Sequence, residues 1–151
     1  MSVIQIIMRT NALSVTVLIR LMVGAVFLSE GIQKFLFSGE LGVGRFAKIG
    51  ISAPEITAPL VGVFEIICGI LVIIGLLTRL AAIPLIVIML TAIGTTKLPM
   101  LVHKGFWGMA HEARTDWSML LSSIFLLVMG AGRWSLDNHL GSSPAGWHDR
   151  T

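Results

Sequence analysis

Residues 111–116 read "HEARTD" and open directly onto an apolar run. Three further ionisable residues, Glu30, Lys34 and Glu65, stand inside other apolar stretches. Carboxylates so placed can accept protons, and a lysine among them can donate a hydrogen bond to a carbonyl. "HEARTD" lacks the second histidine of HExxH, so it is not a zinc motif. His103 and His111 with Met100 and Met109 offer soft copper ligands, an unspecific signal where methionine is ordinary apolar filler. The lone cysteine, Cys68, excludes a disulfide or a dithiol relay within the chain.

The elements that must carry these groups are membrane helices. Of 151 residues 55% are hydrophobic and only 13% charged, and the mean hydropathy is +0.89. So few charges cannot cover so much apolar surface in water. The net charge of +3 suits anionic lipid headgroups. No basic stripe interleaved with aromatics is present, which sets nucleic-acid binding aside. Four stretches approach the length needed to cross ~30 Å of hydrocarbon: about 13–37, 58–77, 80–96 and 116–131. The second and third are joined only by a short turn around Thr78 and Arg79, which forces a hairpin. The expected fold is an all-α membrane protein, an antiparallel four-transmembrane-helix bundle over residues 13–134. An N-terminal segment of residues 1–12 precedes it and a polar C-terminal tail of 135–151 follows. The connections at 38–55 and 97–114 then share one side of the membrane, with a short interfacial helix at 45–49. Phe106, Trp107, Trp117 and Trp134 fit an aromatic belt. Lys and Arg are spread too evenly between the two sides to fix the orientation.

Helical spacing sorts the charges. Arg20, Gly24, Phe27, Gly31 and Lys34 recur at four and three residues and share one face. A face with two cations and two glycines must meet protein or a cavity, since a charge at the centre of a membrane helix costs roughly 2.5–3.5 kcal/mol. Glu30 stands one turn before Lys34, the favourable order for an i,i+4 pair. Ala58, Gly62, Glu65, Gly69 and Val72 make a second small-residue stripe, and Asp116, Ser123 and Gly130 a third. Span order assigns Glu30, Lys34, Glu65, His111 and Asp116 to one half of the bilayer, and Arg20 and Arg79 to the other. The first five are the candidate ligand-binding groups of a polar cavity. The last two are structural charges, with Arg20 expected to hold backbone carbonyls or to snorkel outward. A purely structural reading stands beside this one: an ion-pair network that sets helix register. Asp116 would then serve the first turn of its helix through the macrodipole.

"RLMVGAVFLSEGIQKF" at 20–35, "FEIICGILVIIGLLTRLAA" at 64–82, "GFWGMAHEARTDWSMLL" at 105–121 and "GAGRWSLD" at 130–137 resemble DoxX proteins, in order and spacing along nearly the whole chain. The matching positions are Arg20, Gly24, Gly31, Lys34, Glu65, Gly69, Thr78, Arg79 and Asp116. The resemblance implies a bacterial inner-membrane bundle of four spans with both termini cytoplasmic. It also implies an association with quinone-linked redox enzymes, and it brings no settled catalytic residue.

The chain is therefore expected to be an accessory or quinone-interacting subunit that supports an oxidoreductase rather than a stand-alone enzyme. A quinone ring would lie among the five polar residues. No covalently bound cofactor, metal site or haem, flavin or iron–sulfur motif is expected, so electrons require a redox enzyme partner. The bilayer is the other partner, and a homo-oligomer would be needed for transport by so short a chain. The alternatives are a non-catalytic scaffold or assembly partner, and a small-molecule or copper-handling membrane protein.

Overall fold

The computed structural model describes residues 14–141, which form helices joined by turns, with no strand among them. The helices are α1 (Thr16–Leu36), α2 (Val43–Lys48), α3 (Pro54–Ile74), α4 (Thr78–Ala92), α5 (Leu98–Met129) and α6 (Leu136–Gly141). A π-helical turn, Ile93–Lys97, joins α4 to α5 without a loop. Three helical runs are long and apolar enough to cross a membrane: Thr16–Leu36, Pro54–Ile74 and Thr78–Met129. The last is 52 residues, about 78 Å if straight, more than twice the ~30 Å of a hydrocarbon core. It is not straight. Gly105 has φ 71° and ψ 177°, a conformation essentially confined to glycine, and the helical run is kinked there. Beyond it Arg79 Nη2 donates to the Val128 carbonyl at 2.8 Å.

Glycine sets the closest helix crossing. A Cβ on Gly24 would lie 2.7 Å from the Gly69 carbonyl oxygen, and one on Gly31 would lie 2.8 Å from that of Gly62. Seven residues forward in α1 match seven residues back in α3, so the two run antiparallel with backbones in contact. The small-residue faces read from spacing are the buried faces: Arg20, Gly24, Phe27 and Gly31 in α1, and Ala58, Gly62, Glu65, Gly69 and Val72 in α3. Between the helices, Val23, Phe27, Cys68, Val72, Ala82, Leu85, Met119 and Leu126 form the core.

Outside this core the usual pattern is inverted. Leu18, Leu60, Ile67, Val87, Leu121 and Val128 are exposed, while Arg20, Glu65, Thr78, Ser123 and Asp137 are buried. Apolar surface outside and polar groups inside is the arrangement that lipid, not water, rewards.

Three expectations need correction. The connection at 97–114 is helical rather than a loop. Ala, Glu, Arg and Met are good helix formers whatever their charge, and only Gly105 breaks the run. Asp116 consequently lies inside α5, not in the first turn of a helix, so the macrodipole does not explain it. The polar tail, assigned from residue 135, begins with a segment folded back on the helices. Ser135 and Asp137 are buried, and the Asp137 amide donates to the Gly75 carbonyl at 2.9 Å. Residues 1–13 and 142–151, and with them the N-terminal segment of 1–12 and most of the tail, lie outside the described residues.

Candidate functional site

The two ends of the helices do different things. At the end where α3 turns into α4, charges serve the backbone. Arg20 donates to four carbonyls: Nε to Val72 at 2.9 Å, Nη1 to Ala131 at 3.0 Å and to Trp134 at 2.5 Å, and Nη2 to Ile73 at 2.6 Å. The Val72 and Ile73 carbonyls belong to the last turn of α3, where regular i+4 amides run out; the Gly75 amide also donates to Val72 at 3.2 Å. Arg79 treats the end of α5 in the same way through Val128. Asp137 does the converse at the start of α4. Its Oδ1 accepts from the Leu77 amide at 2.7 Å and its Oδ2 from the Thr78 amide at 3.0 Å. Gly75 makes this possible: its φ is +72°, and a Cβ there would lie 2.7 Å from Arg20 Cζ.

The other end holds a cavity of about 320 Å³, lined by parts of α1, α2, α3, α4, the π-turn and α5. Val26, Phe27, Phe46, Val61, Ile88, Met89 and Met119 make its apolar wall. Its polar lining comprises Glu30, Lys34, Arg45 and Glu65 on one side, and Thr91, Thr95, Thr96, Thr115 and Asp116 on the other. This volume is at the lower end of small-molecule sites, and apolar walls with a few convergent polar groups are typical of them.

Lys34 and Glu65 meet across the α1–α3 crossing. Nζ donates to Oε2 at 2.6 Å, with side-chain exposures of 11% and 3%, so the pair is shielded from solvent screening. Lys34 is therefore bound to Glu65 rather than to Glu30, the partner expected from i,i+4 spacing. Glu30 lines the cavity and is exposed. Across the cavity, Lys97 Nζ lies 3.1 Å from Asp116 Oδ2, joining the π-turn to α5. π-Turns are frequent at functional sites. In and just before this one, Thr91, Thr95 and Thr96 donate their hydroxyls to the carbonyls of Val87, Thr91 and Ala92 at 2.9, 2.8 and 2.6 Å.

Four of the five candidate residues, Glu30, Lys34, Glu65 and Asp116, line this one cavity. His111 does not. It is exposed on α5, its Nε2 2.6 Å from Arg114 Nη1, because a helical 106–129 turns it away from Asp116. Arg20 and Arg79 lie at the opposite end. Sequence reasoning missed Arg45, placed only on an interfacial helix, and the threonines of the π-turn. The run "TAIGTTK" at 91–97 carried that signal as three hydroxyls in an otherwise apolar helix. It missed Asp137 as well. Among the described residues no three His, Cys, Asp or Glu side chains gather as a metal ion would need.

Comparison with known proteins adds a lineage. The DoxX family model matches residues 15–104. The uncharacterized membrane protein Rv3486 of Mycobacterium tuberculosis (strain ATCC 25618 / H37Rv) is 60% identical over 128 residues, covering 81% of this chain and 78% of its own. "Putative oxidoreductase CatD" of Bacillus subtilis (strain 168) is 33% identical over 123 residues, covering 81% of this chain and 84% of its own. No solved structure matches the chain significantly.

Proposed function

This chain belongs to the DoxX family of membrane proteins, and from that premise we propose that it is a quinone-interacting accessory subunit of a membrane redox system. One observation carries the reading: a 320 Å³ cavity, walled by apolar side chains, where Glu30, Lys34, Glu65 and Asp116 converge. A quinone matches it in kind, with a flat ring bearing two oxygens and a tail as apolar as the surrounding helices. Lys34 is the hydrogen-bond donor for a ring carbonyl, and the carboxylates accept from ring hydroxyls in the reduced form. The name of the B. subtilis relative supports the redox association.

In this reading the long run Thr78–Met129 crosses the membrane twice, reversing at Gly105. With α1 and α3 it gives a four-span antiparallel bundle in the bacterial inner membrane, both termini cytoplasmic. The protein holds or delivers the quinone and a partner enzyme carries the electrons, since this chain supplies no redox centre of its own in its sequence motifs.

Purified protein in lipid nanodiscs, titrated with alkyl 1,4-benzoquinone and 1,4-naphthoquinone probes, tests the proposal. Saturable micromolar binding that Glu65→Gln weakens by tenfold or more is the expected result. Absence of saturable binding by the wild type to either ring would overturn it and favour a scaffold, whose buried ion pairs only set helix register.

A further inference from the structure

Resting on that quinone reading, we infer that the cavity selects the hydroxyl-bearing, reduced form of its ligand, with Glu30 and Arg45 as the groups that face it. Three of the cavity's charges are already committed to ion pairs, Lys34 and Glu65 to each other and Asp116 to Lys97 just outside the lining. Lys34 holds Glu65 at 2.6 Å and Lys97 holds Asp116 at 3.1 Å. Each pair joins two helical elements, and each is neutral as a unit. That leaves Glu30 and Arg45, which line the same cavity and make no side-chain hydrogen bond or ion pair among the described residues. The uncommitted charges therefore sum to zero, which suits an uncharged, dipolar headgroup better than an anion or a cation.

Hydrogen-bond capacity decides between the two redox forms. The donors left over are the Arg45 guanidinium and the remaining N–H groups of Lys34. They carry about seven N–H hydrogens, against about eight lone-pair sites on both oxygens of Glu30, Oε1 of Glu65 and Oδ1 of Asp116. Thr91 and Thr95 add to this side. Their hydroxyl protons go to their own helix, so they offer the cavity lone pairs alone. Thr115 can donate or accept. A quinone has only acceptors and would leave most of these groups facing acceptors of its own. A quinol has two O–H donors and two oxygens that still accept from Arg45. A carboxylate–hydroxyl bond is charge-assisted, which makes Glu30 the strongest discriminator.

The test compares both redox forms of the alkyl benzoquinone and naphthoquinone probes, in nanodiscs under argon. The expected wild-type result is at least about tenfold tighter binding of the quinol, the worth of one charged hydrogen bond. Glu30→Gln is expected to abolish the preference without loss of folded protein, since Glu30 is exposed. Arg45→Gln is expected to weaken both forms. Glu112→Gln, in the exposed pair with Lys104 at 3.7 Å, is the control that leaves binding unchanged. Equal affinity for the two forms, tighter quinone binding, or a preference that survives Glu30→Gln would overturn this inference while the quinone reading stands. Binding of neither form would overturn both.

Discussion

Lys34 Nζ and Glu65 Oε2 are 2.6 Å apart, one helical turn from the Gly31–Gly62 contact where α1 and α3 touch backbone to backbone. Close approach and ion pair depend on each other. The glycines bring the helices near enough for the charges to meet, and the charges would be intolerable in an apolar bundle if they did not.

Removing one partner strands the other in low dielectric. Lys34→Met or Glu65→Leu should each cost about 3–5 kcal/mol. The exchange Lys34→Glu with Glu65→Lys should recover a substantial part of that. Reversible unfolding in mixed micelles measures all three, and a double variant no better than the singles would mean the pair does not act as a pair.

At the other end, Arg20→Lys should behave almost as badly as Arg20→Ala. An ammonium cannot reach the four carbonyls that the planar guanidinium spans. Both should lose at least about 3 kcal/mol, from buried carbonyls left without donors. A lysine variant as stable as the wild type would show that charge alone suffices there.

Asp137→Ala should destabilise by about 1–2 kcal/mol, because the Leu77 and Thr78 amides lose their acceptor. Leu77 compounds this with φ 50°, uncommon for a side-chain-bearing residue. Proteolysis of the segment after Trp134 should speed up in the same variant. Unchanged protection would mean that the segment is held by other contacts.

Gly105→Ala places a Cβ where φ 71°, ψ 177° disfavours one, at about 1–3 kcal/mol. Spin labels at Leu80 and Val128, both exposed, should report a short distance in the wild type. A straight helix would separate them by about 72 Å. The variant should broaden that distribution, and an unaltered distribution with unaltered stability would remove Gly105 as the required pivot.

His111→Ala should leave probe binding unchanged, since the imidazole sits against Arg114 and outside the cavity. A loss of affinity matching that of Glu65→Gln would contradict the placement of the site.

The faces of α1 and α3 were legible because glycines and charges at four-and-three spacing can only be an interior face in an apolar helix. The site was legible to the same depth. Glu65 and Asp116 stand at fixed positions on such faces, whereas the partner of Lys34 is chosen by the crossing of two helices, which no local spacing encodes. His111 was misplaced for a related reason. Charge density was read as loop, yet a helix accommodates "HEARTD" readily and sends successive residues to different sides. Arg45 was obscured because a short interfacial helix gives no periodicity long enough to assign a face. Asp137 was hidden by its surroundings, a polar stretch in which one buried carboxylate resembles its solvated neighbours.

The reach of Arg20 also bears on how the protein is made. Its acceptors lie 52 and 53 residues later at Val72 and Ile73, and 111 and 114 residues later at Ala131 and Trp134. A ribosome adding about 5–20 residues per second needs roughly 6–23 s to reach the last of them. Throughout that interval the Arg20 guanidinium lacks its last two acceptors. The four-carbonyl clamp therefore closes only after α3, α4 and α5 have all been made, and it ties the earliest long helix to one of the latest segments of the described chain.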